Sequence, residues 1–367
     1  MSRTSRTSGT SRAAVLYGPG DLRIEEFPLP EIRADDGLLE VEATGVCGTD
    51  MAAYHGVNPF YELPCALGHE LVGRIVEIGP AAGARWNVSA GDRVVVEEYL
   101  PCGTCRSCLA GAYQMCDVPR YGGKSVHSGC GLFGGYSDYL YLHPQAIVHK
   151  VADDIPAELV QLYIPLSNGL DWVAGIGGLR PGGTVVIVGP GPHGLSCVVG
   201  AREAGAGTVV VVGRPADGTR LDVARALGAD HTLTGDLPEV LSAVQELTGG
   251  VLADTVINAA DSSAALETAT AVAGNRATVV QAGLAKGGGG GAEALVDAMN
   301  RKVLTLRGVR GRPSRMVPPT LRLIESGRYP LERMCTGRFP IEQTEHALTV
   351  TARDPSAIRS SIIPGLV

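Results

Sequence analysis

Along the first part of the chain the apolar positions come in short runs broken by glycine and proline: Ala13 to Tyr17, Leu38 to Ala43, Leu71 to Ile78, Arg93 to Glu97 and Tyr136 to Leu142. Runs of this length, rich in Val, Leu and Tyr and separated by turn residues, predict strands of a compact antiparallel, barrel-like unit. The pattern then changes. Thr184 to Val188 is wholly β-branched and is followed by a glycine turn, a helical stretch to Ala204 and a second β-branched run at Thr208 to Val212. A helical pattern at Leu221 to Leu227 and strand-like runs at Thr255 to Asn258 and Ala277 to Gln281 continue the alternation, which predicts a parallel, doubly wound sheet. Beyond Leu304 the pattern is mixed again, with Pro313, Pro318, Pro319, Pro330 and Pro340, and this segment is expected to rejoin the first unit. The expected architecture is α/β, with a β-rich unit over 13–165 and 305–367 and a dinucleotide-type unit over 166–304. Met1 to Arg12, a Ser, Arg and Thr tail, is expected to be disordered, and the glycine run Gly287 to Gly291 to be a flexible loop.

Composition narrows the function. A chain of 367 residues with 45% hydrophobic and 19% charged residues is long enough for two cored domains, which excludes disorder or a coiled coil as a description of the whole. The net charge of −7 offers no general attraction to nucleic acid or to an anionic membrane. The tail lacks the apolar centre of a signal peptide, and no apolar run reaches the roughly 18 residues of a membrane span. These features imply a cytoplasmic protein acting on small molecules.

The nine cysteines point to metal. Cys102, Cys105, Cys108 and Cys116 lie in one lobe, Pro101 to Asp117, with two-residue gaps between the first three. Such gaps let successive thiolates turn back onto one ion, and four thiolates form the closed tetrahedral shell of a structural zinc. An iron–sulfur cluster is the competing reading. Upstream, Cys47 in Gly45-Val46-Cys47-Gly48-Thr49-Asp50 and His69 in Gly68-His69-Glu70 offer the mixed donors of a catalytic zinc with one open position.

Gly189-Pro190-Gly191-Pro192-His193-Gly194 places GxGxxG between a predicted strand and a predicted helix, the setting in which its glycines admit a pyrophosphate. His193 lies within that turn, where it is expected to border the phosphates or the nicotinamide, or simply to cap the surface. At the end of the next strand, where an acid would hold the ribose of NAD, the chain has Gly213 followed by Arg214, with Asp217 and Arg220 close behind. A guanidinium without that acid favours the 2′-phosphate of NADP over NAD.

Together, the Gly-Val-Cys-Gly-Thr-Asp, Gly-His-Glu and four-cysteine motifs, Gly91-Asp92-Arg93-Val94 and the glycine turn follow one another in an order that resembles the zinc-dependent alcohol dehydrogenases of the medium-chain dehydrogenase/reductase superfamily, of the polyol and threonine dehydrogenase type. The resemblance implies a GroES-like catalytic domain and a Rossmann domain, a homodimer or homotetramer, and reversible hydride transfer between a small alcohol or its carbonyl partner and a nicotinamide cofactor. It implies that Cys47 and His69 bind catalytic zinc, that Thr49 hydrogen-bonds the alcohol and starts a proton relay, and that Asp50 orients His69. Two positions depart from it. Where relatives carry Glu-Pro-Leu-Ser with a ligand glutamate, this chain has Ile164-Pro165-Leu166-Ser167, so Glu70 is expected to supply the third donor, with Cys65 and Asp171 as alternatives. The usual relay histidine is replaced by Ala52, which leaves His55 either for that role or as a solvated loop histidine before Gly56. Tyr54, Phe60, Tyr61 and Trp172 are candidates to line the pocket. Loss of the third ligand keeps two other readings open: a zinc-independent NADPH quinone or enoyl reductase, and an inert nucleotide-binding protein.

Overall fold

The structure, a computed structural model, describes residues 9–57, 61–118, 120–283 and 292–366. Phe60 and the glycine run Gly287 to Gly291 lie outside the described residues. The chain divides into two units, Met1–Ile164 with Cys335–Val367, and Pro165–Met334.

The first unit is built on antiparallel sheet. Strand Gly37–Gly45 is paired with Glu70–Ile78, which carries Arg93–Val96 on its other side. Alternate residues of these strands, among them Leu39, Val41, Leu71, Ile75, Val94 and Val96, point into one fully buried core. A second, three-stranded sheet joins Asp21–Pro28, Thr10–Gly18 and Cys65–Ala66. Asp21–Pro28 escaped the hydrophobic pattern because it is an edge strand whose Asp21, Arg23, Glu25 and Glu26 face solvent. The chain is already in strand at Thr10, where a disordered tail was expected. Backbone pairing with Asp21–Pro28 and the contact of the Arg12 guanidinium with Asp138 (2.7 Å) hold it.

In the second unit six described strands lie parallel in the order His231–Leu233, Thr208–Val212, Thr184–Val188, Ala253–Asn258, Ala273–Gln281, Thr305–Gly308. This is the 3-2-1-4-5-6 order of a doubly wound nucleotide-binding sheet. Its central strands are buried along both faces, which explains their unbroken Val and Ile runs. The expected return to the first unit at residue 305 comes later. Thr305–Gly308 adds in register to Ala273–Gln281, so the chain completes this sheet and the helix Val317–Glu325 before leaving at Met334. The prolines that suggested a change of unit sit at or just before helix starts, where a missing N–H costs nothing.

Candidate functional site

Three donors meet in the first unit. Cys47 ends the loop after Gly37–Gly45 and caps the short helix Gly48–Tyr54, and His69 and Glu70 open the neighbouring strand. The pairing of Gly45 with Glu70 brings the two motifs side by side, and a Cys47 thiol, a His69 ring nitrogen and a Glu70 carboxylate oxygen lie within 4.8 Å of one another, all buried. Gly68 makes the turn before His69 possible. Its φ of +90° is unfavourable for other residues, and a Cβ there would lie 2.7 Å from the Tyr136 backbone nitrogen.

Asp50 fixes the histidine. Fully buried, its Oδ1 faces His69 Nδ1 at 3.2 Å, and its Oδ2 accepts from the Cys47 amide (3.1 Å) and the Tyr136 hydroxyl (2.9 Å). Burial alone would raise this carboxyl's pKa, but the facing histidine and these donors outweigh it and hold it below the ordinary value. With Nδ1 turned to Asp50, Nε2 points the other way, 3.3 Å from the Thr49 hydroxyl. The Tyr61 hydroxyl donates to Asp50 Oδ1 at 3.3 Å, and burial drives its pKa upward, so it remains a donor.

Glu70 has a second neighbour that sequence reasoning missed. Arg359, on the strand Arg359–Ile362, is as buried as Glu70, and their guanidinium and carboxylate are in contact. Nothing in the sequence marks this pair, because its members are almost three hundred positions apart. The same holds for Tyr136, whose hydroxyl reaches Asp50 from a segment with no motif of its own.

The other named residues lie elsewhere. Cys65 is outside the three-donor group: its thiol faces the Gly122 carbonyl, and burial pushes its pKa up to about 12. Ile164 is buried and apolar. The structure does not bring His55 to Thr49. It sits exposed at the end of the helix, edge-on to Tyr54, because the helix stops one residue before it. Tyr54 donates to Glu345.

The four-cysteine lobe closes on itself. One sulfur from each of Cys102, Cys105, Cys108 and Cys116 falls within 4.8 Å of the others. Backbone amides point at the sulfurs: Cys105 N at Cys102 Sγ (3.3 Å), Cys108 N at Cys105 Sγ (3.4 Å) and Cys102 N at Cys116 Sγ (3.5 Å). The Thr104 hydroxyl, and after it the Thr104 and Cys105 amides, lower the Cys102 pKa to about 6, while burial pushes that of Cys108 up to about 12.

In the second unit the glycine turn joins Thr184–Val188 to the helix Pro192–Glu203. A Cβ on Gly194 would stand 1.9 Å from the Gly189 carbonyl oxygen, so the third glycine is required for helix and turn to close up, and the helix N-terminus is left to face a phosphate. His193 stacks on Trp172 (ring centroids 5.0 Å apart, 21° between planes), and its Nε2 lies 3.1 Å from Asn168 Nδ2. Asn168, which no motif signalled, is 4% exposed and its Oδ1 is buried without a partner.

At the end of Thr208–Val212 a side chain at Gly213 would meet Leu221 and Pro190 at 3.1 Å, a packing reason for the missing acid. Asp217 folds back in its place. Its carboxylate takes the Arg214 guanidinium (3.1 Å) and amide (2.9 Å) and faces Arg220 Nη1 at 3.6 Å. Burial raises and these donors lower its pKa, with the lowering ahead, so two cations surround one carboxylate. Asp171, in the same unit, is buried 4.0 Å from Arg315, and burial raises its pKa.

Residues 33–153 match the alcohol dehydrogenase GroES-like domain, and residues 192–326 match the zinc-binding dehydrogenase family. A Mycobacterium tuberculosis protein named probable alcohol dehydrogenase is 38% identical over 95% of this chain and 96% of its own length. The erythritol/L-threitol dehydrogenase of Mycolicibacterium smegmatis is 31% identical over 96% and 97%. A Sinorhizobium meliloti structure named as a zinc-binding dehydrogenase, with NADP bound, superposes with a TM-score of 0.85 at 26% identity, covering 97% of this chain and all of that one. The chain belongs to the zinc-dependent alcohol dehydrogenase family of the medium-chain dehydrogenases. It is an oxidoreductase that uses zinc and a nicotinamide cofactor to move hydride between an alcohol and its carbonyl partner.

Proposed function

We propose that catalytic zinc is held by Cys47, His69 and Glu70, that a second, structural zinc is held by Cys102, Cys105, Cys108 and Cys116, and that NADP is the preferred cofactor. The observation that carries the reading is the buried meeting of three donors within 4.8 Å beside the Thr49 hydroxyl. The donor set fits zinc: one sulfur, one imidazole whose Nδ1 faces Asp50 at 3.2 Å and whose Nε2 faces away from it, and one carboxylate. Three protein donors leave a coordination position for the alcohol. Bound there, zinc supplies Lewis-acid polarisation of the substrate oxygen.

The residues of the chain do the rest. Asp50 holds the His69 ring by its Nδ1 face. Thr49 accepts the alcohol proton at Oγ1 and passes it outward. The turn Gly189, Gly191 and Gly194 seats the pyrophosphate at a helix N-terminus, while His193, stacked on Trp172 and bonded to Asn168, forms a flat polar wall at the same turn. Since His55 is not within reach of Thr49, no step is assigned to it. The four cysteines assigned to no metal, Cys65, Cys130, Cys197 and Cys335, are free thiols, which supports a reducing, cytoplasmic setting. The family supports a homodimer or homotetramer.

Glu70 is the donor that Arg359 also contacts. Glu70→Gln keeps its shape and removes its charge. Zinc content measured by mass spectrometry is expected to fall from two ions per chain toward one, and a content unchanged at two would remove Glu70 from the ligand set.

Preference for NADP rests on Arg214 and Arg220 flanking a single carboxylate. Arg214→Ala is expected to raise the KM for NADPH by about tenfold, the value of one charge-assisted hydrogen bond, and that for NADH much less. An equal rise for both cofactors would reject the assignment. The activity is tested by assaying alcohols and carbonyls against both cofactors, with and without a zinc chelator. Turnover that survives removal of both zinc ions would favour the zinc-independent reductase reading.

A further inference from the structure

Arg120 has not been given a role. It lies just past the four-cysteine lobe, and its Nη2 donates to the Tyr61 hydroxyl at 3.2 Å, with the guanidinium 5.6 Å from the centre of the Tyr61 ring. The Tyr61 oxygen also bonds to Asp50 Oδ1 and to the Thr49 side chain. Arg120 is thus two hydrogen bonds, about 6 Å, from the hydroxyl that receives the substrate alcohol.

Its charge is not matched as the others are. Arg93 and Arg359, the two deeply buried arginines of this unit, pair with Glu42 and Glu70. Among the described residues Arg120 has no carboxylate at ion-pair distance; burial works against its charge, and Tyr61, Tyr99 and Glu98 act from around it to hold its pKa above the ordinary value. Its Nε is buried with no hydrogen-bond partner. A half-buried guanidinium with an idle, buried donor is costly, and the fork left open by one phenol contact is shaped for a carboxylate or phosphate.

We propose that Arg120 is a substrate-binding residue and that the enzyme acts on alcohols bearing an anionic group, a carboxylate or a phosphate, a few bonds from the reacting hydroxyl. The proposal rests on the placement of the alcohol at Thr49. With the hydroxyl there, an anionic oxygen two or three carbons away reaches the guanidinium. Tyr61, fixed between Asp50 and Arg120, sets the spacing between the two ends of the substrate.

The test compares matched pairs on the zinc-loaded enzyme: 3-hydroxybutanoate against butan-2-ol, and glycerol 1-phosphate against glycerol. The wild-type protein is expected to favour the anionic member of at least one pair in kcat/KM. Which pair responds separates carboxylate from phosphate. In Arg120→Met the ratio of anionic to neutral kcat/KM is expected to drop about 10- to 100-fold, mostly through KM, with partial recovery in Arg120→Lys. A wild-type preference for both neutral members, or an equal loss on both members in Arg120→Met, would overturn it. Calorimetric binding of the same anions to the NADP-bound enzyme separates this from the activity. Arg120-dependent binding without turnover would keep the anion site and sink the dehydrogenase assignment, whereas turnover of neutral alcohols with no anion binding would do the reverse.

Discussion

Cys47→Ser is expected to lower kcat by about three orders of magnitude with every alcohol the enzyme accepts, equivalent to about 4 kcal/mol of lost transition-state stabilisation. The thiol is 6% exposed and sits at the cap of Gly48–Tyr54, one of the three donors that converge there. A serine fits the space but is a poor zinc ligand, so the metal is lost or displaced while the backbone around it stays. Melting should therefore shift by no more than about 4 °C. Full activity in this variant would place the chemistry elsewhere in the chain.

Asp50→Asn is expected to cost about 10- to 100-fold in zinc affinity and in kcat, the usual range for losing the group that orients a metal-bound histidine. The size of the effect follows from the two oxygens of Asp50 having different tasks. Oδ2 receives the Cys47 amide and the Tyr136 hydroxyl, and Oδ1 faces His69 Nδ1 and the Tyr61 hydroxyl. An asparagine turns one of these positions into a donor facing two donors, whichever way it flips. Each unmet buried group costs about 1–3 kcal/mol, so stability should fall as well. Competitive zinc titration against a chromogenic chelator reads the affinity directly. Zinc affinity equal to that of the wild-type protein would show that His69 needs no partner.

Much of this site can be read from the chain because its parts are local. The sulfur spacing of Cys102 to Cys116, the Cys47-Thr49-Asp50 turn and the GxGxxG turn each put their chemistry within a few residues, where backbone geometry leaves little freedom. The strands that carry them were legible for the same reason: Thr184 to Val188 and Thr208 to Val212 are buried on both faces and leave an unbroken apolar signature. What was not legible depends on pairing across the fold. Arg359 meets Glu70 only because both of their strands flank Gly37–Gly45, and Tyr136 reaches Asp50 from the bend that precedes Tyr139–Leu142. Asn168 meets His193 only after a helix has been laid against the glycine turn. The early start at Thr10 was hidden because Thr10, Ser11 and Arg12 are polar and are held in strand by backbone pairing with Asp21–Pro28. The late departure at Met334 was hidden because Thr305–Gly308 is a short, exposed edge strand, stabilised by its neighbour's backbone and leaving little pattern in its own side chains.

The departures are as informative as the matches. Isoleucine at 164 removes a carboxylate, and the structure leaves Glu70 as the remaining acid among the converging donors, balanced by Arg359 on its other side. Such a glutamate can serve the metal and the arginine in turn. With Glu70 as a zinc ligand, as proposed, zinc binding and the position of the Arg359 guanidinium would be linked through the same carboxylate.

The measurement that bears most directly on the zinc-dependent assignment is zinc content followed together with hydride transfer during stepwise chelation and refilling. Activity is expected to vanish as the first, open-site zinc leaves, while the fold and the four-cysteine zinc persist, and to return when one equivalent of zinc per chain is restored. Undiminished NADPH-linked turnover after that zinc has been removed would contradict the assignment of catalysis to Cys47, His69 and Glu70.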